Sequence, residues 1–399
     1  MPKDQPAGLT REDRLCLLLS RGQLTPDEEA RAREFLSAPL RWPLLLDRAY
    51  AHQVSPLVYR NLLQVGFSAV PDVVQTELKG AYLVNALRNQ LLAEELACLL
   101  RLLNQDGIPT IPLKGVPLAE SLYGDPDTRV CADIDLLVPP AQLHTAIEVI
   151  LSAGYPDVFQ NAFFRKLALR HGRHYGFQRD HAGHATHIEL HWQLVQHSSR
   201  NDDAITDLWA EAHPTHSCGA PAYAFSPEWE FLYLATHAAD HGWQSLKWLA
   251  DLHQLCLCRP PDWHRLTEKA EQFELDLVVR QTLAACSLLL GTPLPEGYAS
   301  VSLPAKLRLF PKAHEAVFSH LTLLRRPWDK LRCVANDVLV PKPADQDFIR
   351  LPAALSFLYY PLRALRLIGK RVWRPLLILR TESPGKPSPN AKNREEPVK

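Results

Sequence analysis

The feature that most constrains this chain is a pair of carboxylates inside a short apolar run, residues 131–138, CADIDLLV. Asp133 and Asp135 stand two residues apart, so on a β-strand both side chains point to one face and the apolar residues to the other. Like charges at such range repel each other, and burial adds a desolvation cost. A cation removes that cost, and Mg²⁺ prefers carboxylate and phosphate oxygens. The pair predicts a strand with a cation site, with a solvent-facing pair at a strand end as the alternative.

A candidate phosphate-binding turn lies upstream of the pair. The apolar run IPTIPL ends at Lys114 and Gly115 and is followed by VPLAESLYG, a pattern typical of strand, tight turn and helix. Gly115 lets the backbone approach a ligand closely, and the start of the next helix presents free N–H groups to an anion. Lys114 adds a mobile positive charge suited to phosphate. LKG alone is a weak signal, but together with the carboxylate pair it predicts a site for a nucleoside triphosphate.

A third carboxylate is available in the segment 185–194, ATHIELHWQL, which alternates between polar and apolar residues. Glu189 and His191 fall on the polar face of this predicted strand, and the preceding RHYGFQR forms the other arm of a hairpin. If the strand lies beside the aspartate strand, Glu189 meets Asp133 and Asp135. Three carboxylates then serve one or two metal ions that activate an attacking oxygen and neutralise a leaving pyrophosphate. Taken alone, Glu189 would be read as an exposed strand residue.

The order of these motifs resembles the uncharacterised bacterial nucleotidyltransferases of the DNA polymerase β superfamily. Their pattern is LKG, a helix ending in LY, an Arg, DIDLLV and later ELHW, and the matching positions here are 114–115, 122–123, Arg129, 133–138 and 189–192. The resemblance implies an α+β fold with a polymerase β-like nucleotidyltransferase core, a small mixed sheet with helices, flanked by N- and C-terminal helical regions. It also implies that Asp133, Asp135 and Glu189 are catalytic metal ligands and that Lys114 and Gly115 form the triphosphate turn. Most of the superfamily has Gly-Ser at this turn, whereas here Val116 follows Gly115 and supplies no hydroxyl.

Three further positions are candidates for nucleotide binding besides His191. Arg129, just before the aspartate strand, could stabilise phosphate charge or simply fix the loop through an ion pair. His237 and His241 are four residues apart on a predicted helix and therefore share one face. That face could turn toward the active cleft, near the nucleotide or acceptor. A zinc site or packing against tryptophan are the alternatives, and the HExxH pattern of metalloproteases is not present.

Composition bounds the function. Lys and Arg number 44 and Asp and Glu number 44, so the formal net charge is zero, which makes nucleic acid an unlikely partner. The chain opens with polar and charged residues rather than a signal peptide, and it contains no apolar run of about eighteen residues. We therefore expect the cytoplasm as its compartment.

The pattern along the chain predicts five regions. They are an N-terminal helical region at 1–104, the nucleotidyltransferase core at 105–195, a C-terminal helical domain at 196–345, a basic amphipathic segment at 346–380 and a disordered tail at 381–399. The basic residues between 351 and 380 could contact a membrane surface, a partner protein or the chain's own helical domain.

The leading functional hypothesis is nucleotidyl transfer that depends on Mg²⁺, with Mn²⁺ as a substitute. The donor is an NTP, and the resemblance implies a small-molecule, sugar or peptide acceptor. One alternative is a catalytically inactive nucleotide-binding module. The other is a metal-dependent hydrolase built on His187, His191, His237 and His241.

Overall fold

A computed structural model describes residues 8–159, 161–181, 184–195, 198–298, 321 and 324–367. Over these residues the fold is α+β, as predicted, with a small mixed sheet between helical regions. The helices before the sheet are α1 (Arg11–Leu19), α2 (Pro26–Leu36), α3 (Trp42–Ala51), α4 (Ser55–Val65) and α5 (Asp72–Gln105). The side chains of Thr10 and Thr25 cap α1 and α2, so threonine followed by acidic residues explains where both helices begin.

Helix α5 is the longest element and connects the N-terminal helices to the sheet. Leu92, Leu96 and Leu100 on its second half are buried in the core beneath the sheet. The helix ends just before Gly107, whose φ of +67° favours glycine. The second half of α5 is therefore a core helix that packs on the sheet.

The main sheet has the strand order β1-β2-β4-β3. Its strands are β1 (Ile111–Pro112), β2 (Asp133–Leu137), β3 (His174–His181) and β4 (His184–His191), with α6 (Val116–Tyr123), α7 (Leu143–Ser152) and α8 (Ala162–His171) in the connections. Strands β3 and β4 form the predicted antiparallel hairpin, and β4 runs parallel to β2. Ile134, Leu136, Phe177, Ile188 and Leu190 lie buried in the core shared with α5. Alternation therefore leaves the polar residues of these strands on the opposite face.

The chain continues through a two-stranded sheet into a second group of helices. The elements are α9 (Asn201–Glu211), β5 (His213–Ser217), β6 (Ala220–Ala224), α10 (Pro227–Asp240), α11 (Leu246–Cys258), α12 (Trp263–Gln272) and α13 (Asp276–Leu290). Trp229 and Phe231 of α10 are fully buried in the core that these helices share with α1 and α4. Strand β6 attaches to the residue before β1, because the amide of Tyr223 donates to the carbonyl of Thr110 at 2.9 Å.

The last described segment packs against the main sheet's α8. It contains α14 (Pro327–Leu339), α15 (Pro343–Phe348) and helical turns from Ala353. Tyr359 is buried against Phe164, and the guanidinium groups of Arg363 and Arg366 lie 3.1 and 2.5 Å from Asp345. These two arginines of the predicted basic segment thus pair within the chain. The rest of that segment, from 368, and the predicted disordered tail lie outside the described residues.

No helix in the part of the chain given above combines the length and apolar character needed to cross a membrane.

Candidate active site

The polar face of the main sheet gathers the sequence-predicted carboxylates. In the parallel pairing of β2 with β4, Asp135 lies opposite Glu189 and Asp133 lies opposite His187. Because paired residues of neighbouring strands point to the same face, Asp133, Asp135, Glu189 and His191 share it. Asp135 is 3% exposed, whereas Asp133 and Glu189 are partly open to solvent. The arrangement brings two acidic strands together from segments more than fifty residues apart.

Lys114 supplies a positive charge directly between the two aspartates. Its Nζ lies 2.6 Å from Oδ2 of Asp135 and 3.1 Å from Oδ1 of Asp133. Burial on its own would lower the pKa of Lys114, but Asp135 and Asp133 outweigh burial and raise it. The lysine therefore stays charged and offsets the repulsion that the carboxylate pair would otherwise suffer. Its ammonium marks a position where both aspartates bind a cation.

Gly115 allows the turn between β1 and α6 to place Lys114 there. It is the N-cap of α6 and has φ +85° and ψ −139°, a conformation that residues with a side chain rarely adopt. A Cβ at this position would meet only the carbonyl of Asp133, at 3.8 Å. The requirement for glycine is thus one of backbone conformation. The turn leads directly from Lys114 into the start of α6, where Pro117 carries no amide hydrogen.

His191 links the buried aspartate to the third carboxylate. Its Nε2 lies 3.1 Å from Oδ1 of Asp135 and 3.3 Å from Oε2 of Glu189. Burial would lower the pKa of His191, but the hydrogen bonds to Asp135 and Glu189 outweigh burial and raise it. For Asp135, an acid, burial would instead raise the pKa, but the positive charge of Lys114 and the hydrogen bond with His191 hold it well below its usual range. Asp135 is therefore ionised at neutral pH, as a metal ligand must be.

His174 is a site residue that sequence reasoning missed. It lies opposite His191 in the β3–β4 register, and its Nδ1 is 3.7 Å from Oε2 of Glu189. One ligand atom from each of His174, Glu189 and His191 lies within 4.8 Å of the others, which is close enough to hold a metal ion after small adjustments. The hairpin register carries the signal that could have found it, since an antiparallel pair aligns the two histidines once the turn is known.

Arg129 lies behind the site rather than at its surface. Its Nε is 3.0 Å from Oδ2 of Asp251 on α11, both side chains are almost fully buried, and the hydroxyl of Tyr123 donates to Oδ1 of Asp251 at 3.0 Å. Asn85 and Asn89 of α5 donate to the carbonyl of Arg129. Burial would lower the pKa of Arg129, but Asp251 outweighs it and raises that pKa. Of the two roles considered for Arg129, the geometry corresponds to a buried ion pair that fixes the loop before β2.

His237 and His241 form an aromatic cluster with Trp248. The His237 and His241 rings are 4.9 Å apart, and the His241 ring stacks on Trp248 with centroids 4.8 Å apart and planes inclined by 24°. Burial and the positive charge of Lys114 lower the pKa of His237 well below its usual range, so its ring is neutral. Burial also lowers the pKa of His241. The cluster thus lies within electrostatic range of Lys114.

The alternative of a metal-dependent hydrolase requires His187, His191, His237 and His241 to lie close together. Within the described ranges, the group close enough to hold a metal ion consists of His174, Glu189 and His191. His187 lies on β4 opposite Asp133, and His237 and His241 belong to the aromatic cluster. The structure therefore brings His191 to the carboxylates but does not gather the four histidines of that hypothesis into one metal-binding group among these residues.

Comparison with known proteins identifies the family of this chain. The profile of a family described as "uncharacterised nucleotidyltransferase" matches residues 38–291, well over half of the chain, so the chain belongs to that family. Among solved structures, a protein described as an antigenic nucleotidyltransferase-like protein from Paracoccidioides brasiliensis aligns with 16% identity and a TM-score of 0.35. The alignment covers 50% of this chain and 92% of that one. None of the curated proteins matches the chain.

Proposed function

We propose that this chain is a Mg²⁺-dependent nucleotidyltransferase that moves a nucleoside monophosphate from an NTP to a hydroxyl group. The observation that carries the proposal is the set of Asp133, Asp135 and Glu189 on one face of two adjacent parallel strands, with the ammonium of Lys114 bound between the aspartates. Membership of the nucleotidyltransferase family supports an NTP as the donor. The cytoplasm, where NTPs are made and used, is the proposed compartment.

The carboxylates have the chemistry of a divalent-cation site, although among the described residues the ligand atoms within 4.8 Å of one another are those of His174, Glu189 and His191. Asp133, Asp135 and Glu189 would hold Mg²⁺ through hard carboxylate oxygens, and the nitrogens of His174 and His191 explain why Mn²⁺ would substitute. When bound, the ion would neutralise charge on the triphosphate and favour departure of pyrophosphate.

Lys114 would act as a movable charge. Its ammonium and a metal ion compete for the same two aspartates, so we propose that nucleotide binding moves Lys114 onto the outer phosphates. Lysine suits this role because its ammonium is a point charge on a flexible stem. The backbone N–H groups at the Gly115 turn, at the start of α6, would bind the same phosphates.

The remaining residues would orient the reactants. Glu189 would take the proton of the attacking hydroxyl, with neutral His174 3.7 Å away to receive it next, because burial lowers the pKa of that histidine. The nucleobase would lie against the cluster of His237, His241 and Trp248, which offers partly exposed ring faces. Arg129 would position the aspartate strand. The balanced net charge argues for a small-molecule, sugar or peptide acceptor over nucleic acid.

A titration with each of the four NTPs, with and without Mg²⁺, tests the proposal through heat stability. A ligand at a hundred times its Kd stabilises the folded state by about 2.7 kcal/mol. We expect this stabilisation from at least one NTP, dependent on Mg²⁺ and lost in Asp135→Asn. Asp180→Asn, an exposed aspartate on β3 of the same sheet, is the matched control and should keep it. No response to any NTP would contradict the proposal.

The His174, Glu189 and His191 group gives the metal-dependent hydrolase a specific basis. That function predicts stabilisation by Zn²⁺ alone, lost in His174→Ala and kept in Asp133→Asn. The inactive binding module predicts NTP binding without release of pyrophosphate in the presence of any acceptor.

A further inference from the structure

A cavity of about 380 Å³ opens beside Glu189, between α8, the β3–β4 hairpin and the residues that follow α14. This volume lies within the range of small-molecule sites, roughly 300–1,000 Å³. Glu189 and His174, which belong to the candidate active site, also line the cavity. Its other walls are mostly apolar, with Val158, Phe159, Phe164, Leu167, Ala168 and Val340. They also include the polar residues His171, Arg173, His187, Asn336 and Lys342. The cavity therefore adjoins the carboxylate site, but its walls are mostly apolar whereas that site is charged.

Gly176 contributes to the space beside Glu189. It pairs with Glu189 in the β3–β4 register, so a side chain at Gly176 would stand next to the carboxylate on the same face. A Cβ there would come within 2.9 Å of Val158 Cγ2. The glycine thus lets the apolar wall approach the sheet directly beside the third carboxylate.

The strand order places the cavity and the Lys114–Gly115 turn on opposite sides of the carboxylates. The turn of Lys114 and Gly115 lies on the β1 side of the aspartate strand, whereas the cavity lies across β4, on the β3 side. In phosphoryl-group chemistry the attacking and leaving oxygens are roughly in line on opposite sides of the phosphorus. If the outer phosphates bind at Lys114, the attacking group approaches from the side of Glu189. That is the side on which the cavity opens.

We propose that this cavity is the acceptor pocket and that it takes an alcohol with an apolar body, such as an aryl-alkyl alcohol. The inference rests on the proposed nucleotidyl transfer. In the step, the alcohol oxygen forms a bond to the α-phosphorus and the bond from that phosphorus to the bridging oxygen breaks. Pyrophosphate leaves, and the hydroxyl proton passes to Glu189, then to His174 and from there to water. The products are a nucleoside monophosphate ester of the alcohol, pyrophosphate and a proton.

The apolar walls select against polar acceptors. A sugar or a nucleic acid end would bury several hydroxyl groups against walls whose surface is mostly apolar, which leaves some of those hydroxyls without a hydrogen-bond partner and is unfavourable. An aryl or alkyl body gains by leaving water for the same surface, and only its single hydroxyl needs to reach Glu189.

The experiment uses ligand-observed NMR with the full chain and 4-phenylbutan-1-ol as probe, with glycerol and glucose as polar comparators. We expect binding of the aryl alcohol and none of the polyols. Ala168→Phe, which fills the cavity from α8, should weaken alcohol binding roughly tenfold or more. Val340→Phe fills it from the opposite wall and serves if the first variant fails to fold. Ala162→Phe, an exposed position at the start of the same helix, is the matched control.

Separate readouts distinguish the two proposals. Mg²⁺-NTP binding should be unchanged in Ala168→Phe, because the phosphate turn lies across the sheet. With NTP present, the alcohol should yield its nucleoside monophosphate ester by mass spectrometry. Failure of the wild type to bind the aryl alcohol would overturn the acceptor pocket, as would equal binding in Ala168→Phe, even if NTP binding holds. Loss of NTP binding with intact alcohol binding would instead overturn the proposed function.

Discussion

Removing the carboxylate of Asp251 tests whether Arg129 supports the site or binds the nucleotide. The Arg129 side chain is 3% exposed and that of Asp251 is 1% exposed, with Nε 3.0 Å from Oδ2. In Asp251→Ala the guanidinium stays buried without its partner, and Tyr123 loses its acceptor. Breaking a buried pair from one side typically costs about 3–5 kcal/mol. We expect a loss of that size in the free energy of unfolding.

The double variant Arg129→Met/Asp251→Leu separates the charge pair from the packing. Replacing both partners with apolar residues of similar volume is often neutral or stabilising. We therefore expect the double variant to recover most of the stability lost in Asp251→Ala. Urea unfolding followed by circular dichroism, with all four members of the cycle, gives the coupling energy.

Nucleotide affinity in the same variants decides between the two roles. If Arg129 only positions the loop before β2, the stable double variant should bind Mg²⁺-NTP within a few-fold of wild type. If Arg129 contacts phosphate, that variant should be equally stable but bind roughly tenfold or more weakly. A loss below about 1 kcal/mol in Asp251→Ala would refute the reasoning, because surface ion pairs already reach that value.

Two further predictions concern pH and backbone conformation. Burial lowers the pKa of His253, whose Nδ1 bonds the hydroxyl of Thr292, to about 4 from its usual 6.5. Between pH 6.5 and 4 the histidine binds a proton in the unfolded chain but not in the folded one. The free energy of unfolding therefore falls by about 3 kcal/mol as the pH drops across this range. His253→Gln should flatten that part of a pH series of urea unfolding curves, and an unchanged slope would argue against the assignment. Gly115→Ala should lose about 1–3 kcal/mol and weaken Mg²⁺-NTP binding because of its φ of +85°. Gly80→Ala, inside α5 with open space around it, should instead gain about 0.5–1 kcal/mol, and similar effects at both positions would contradict the account.

The sequence predicted the parts of the site that depend on local alternation. The spacing of Asp133 and Asp135 fixed a shared face, and the alternation around Glu189 placed it on the polar side of its own strand. The three carboxylates come together only if β4 pairs with β2. Local alternation does not predict which strands are neighbours. The structure satisfies that condition through a parallel pairing.

The parts that sequence reasoning did not reach depend on distant contacts. Arg129 and its partner Asp251 are 122 residues apart, and nothing in their local patterns links them. The contact of Lys114 with both aspartates depends on side-chain geometry across two strands. The cavity beside Glu189 requires Val340 to pack near α8, far along the chain. Hydrophobic periodicity reports which face of an element is buried, but not which distant segment covers it.

Anomalous diffraction from crystals grown with Mn²⁺ and an NTP analogue that cannot be cleaved after the α-phosphate would show whether the aspartates hold the metal ion. We expect a manganese peak about 2.1 Å from carboxylate oxygens of Asp133 and Asp135. We also expect Nζ of Lys114 to move from these oxygens to the outer phosphates. A peak held by His174, Glu189 and His191 alone, with Lys114 still bound between the aspartates, would contradict the proposed function.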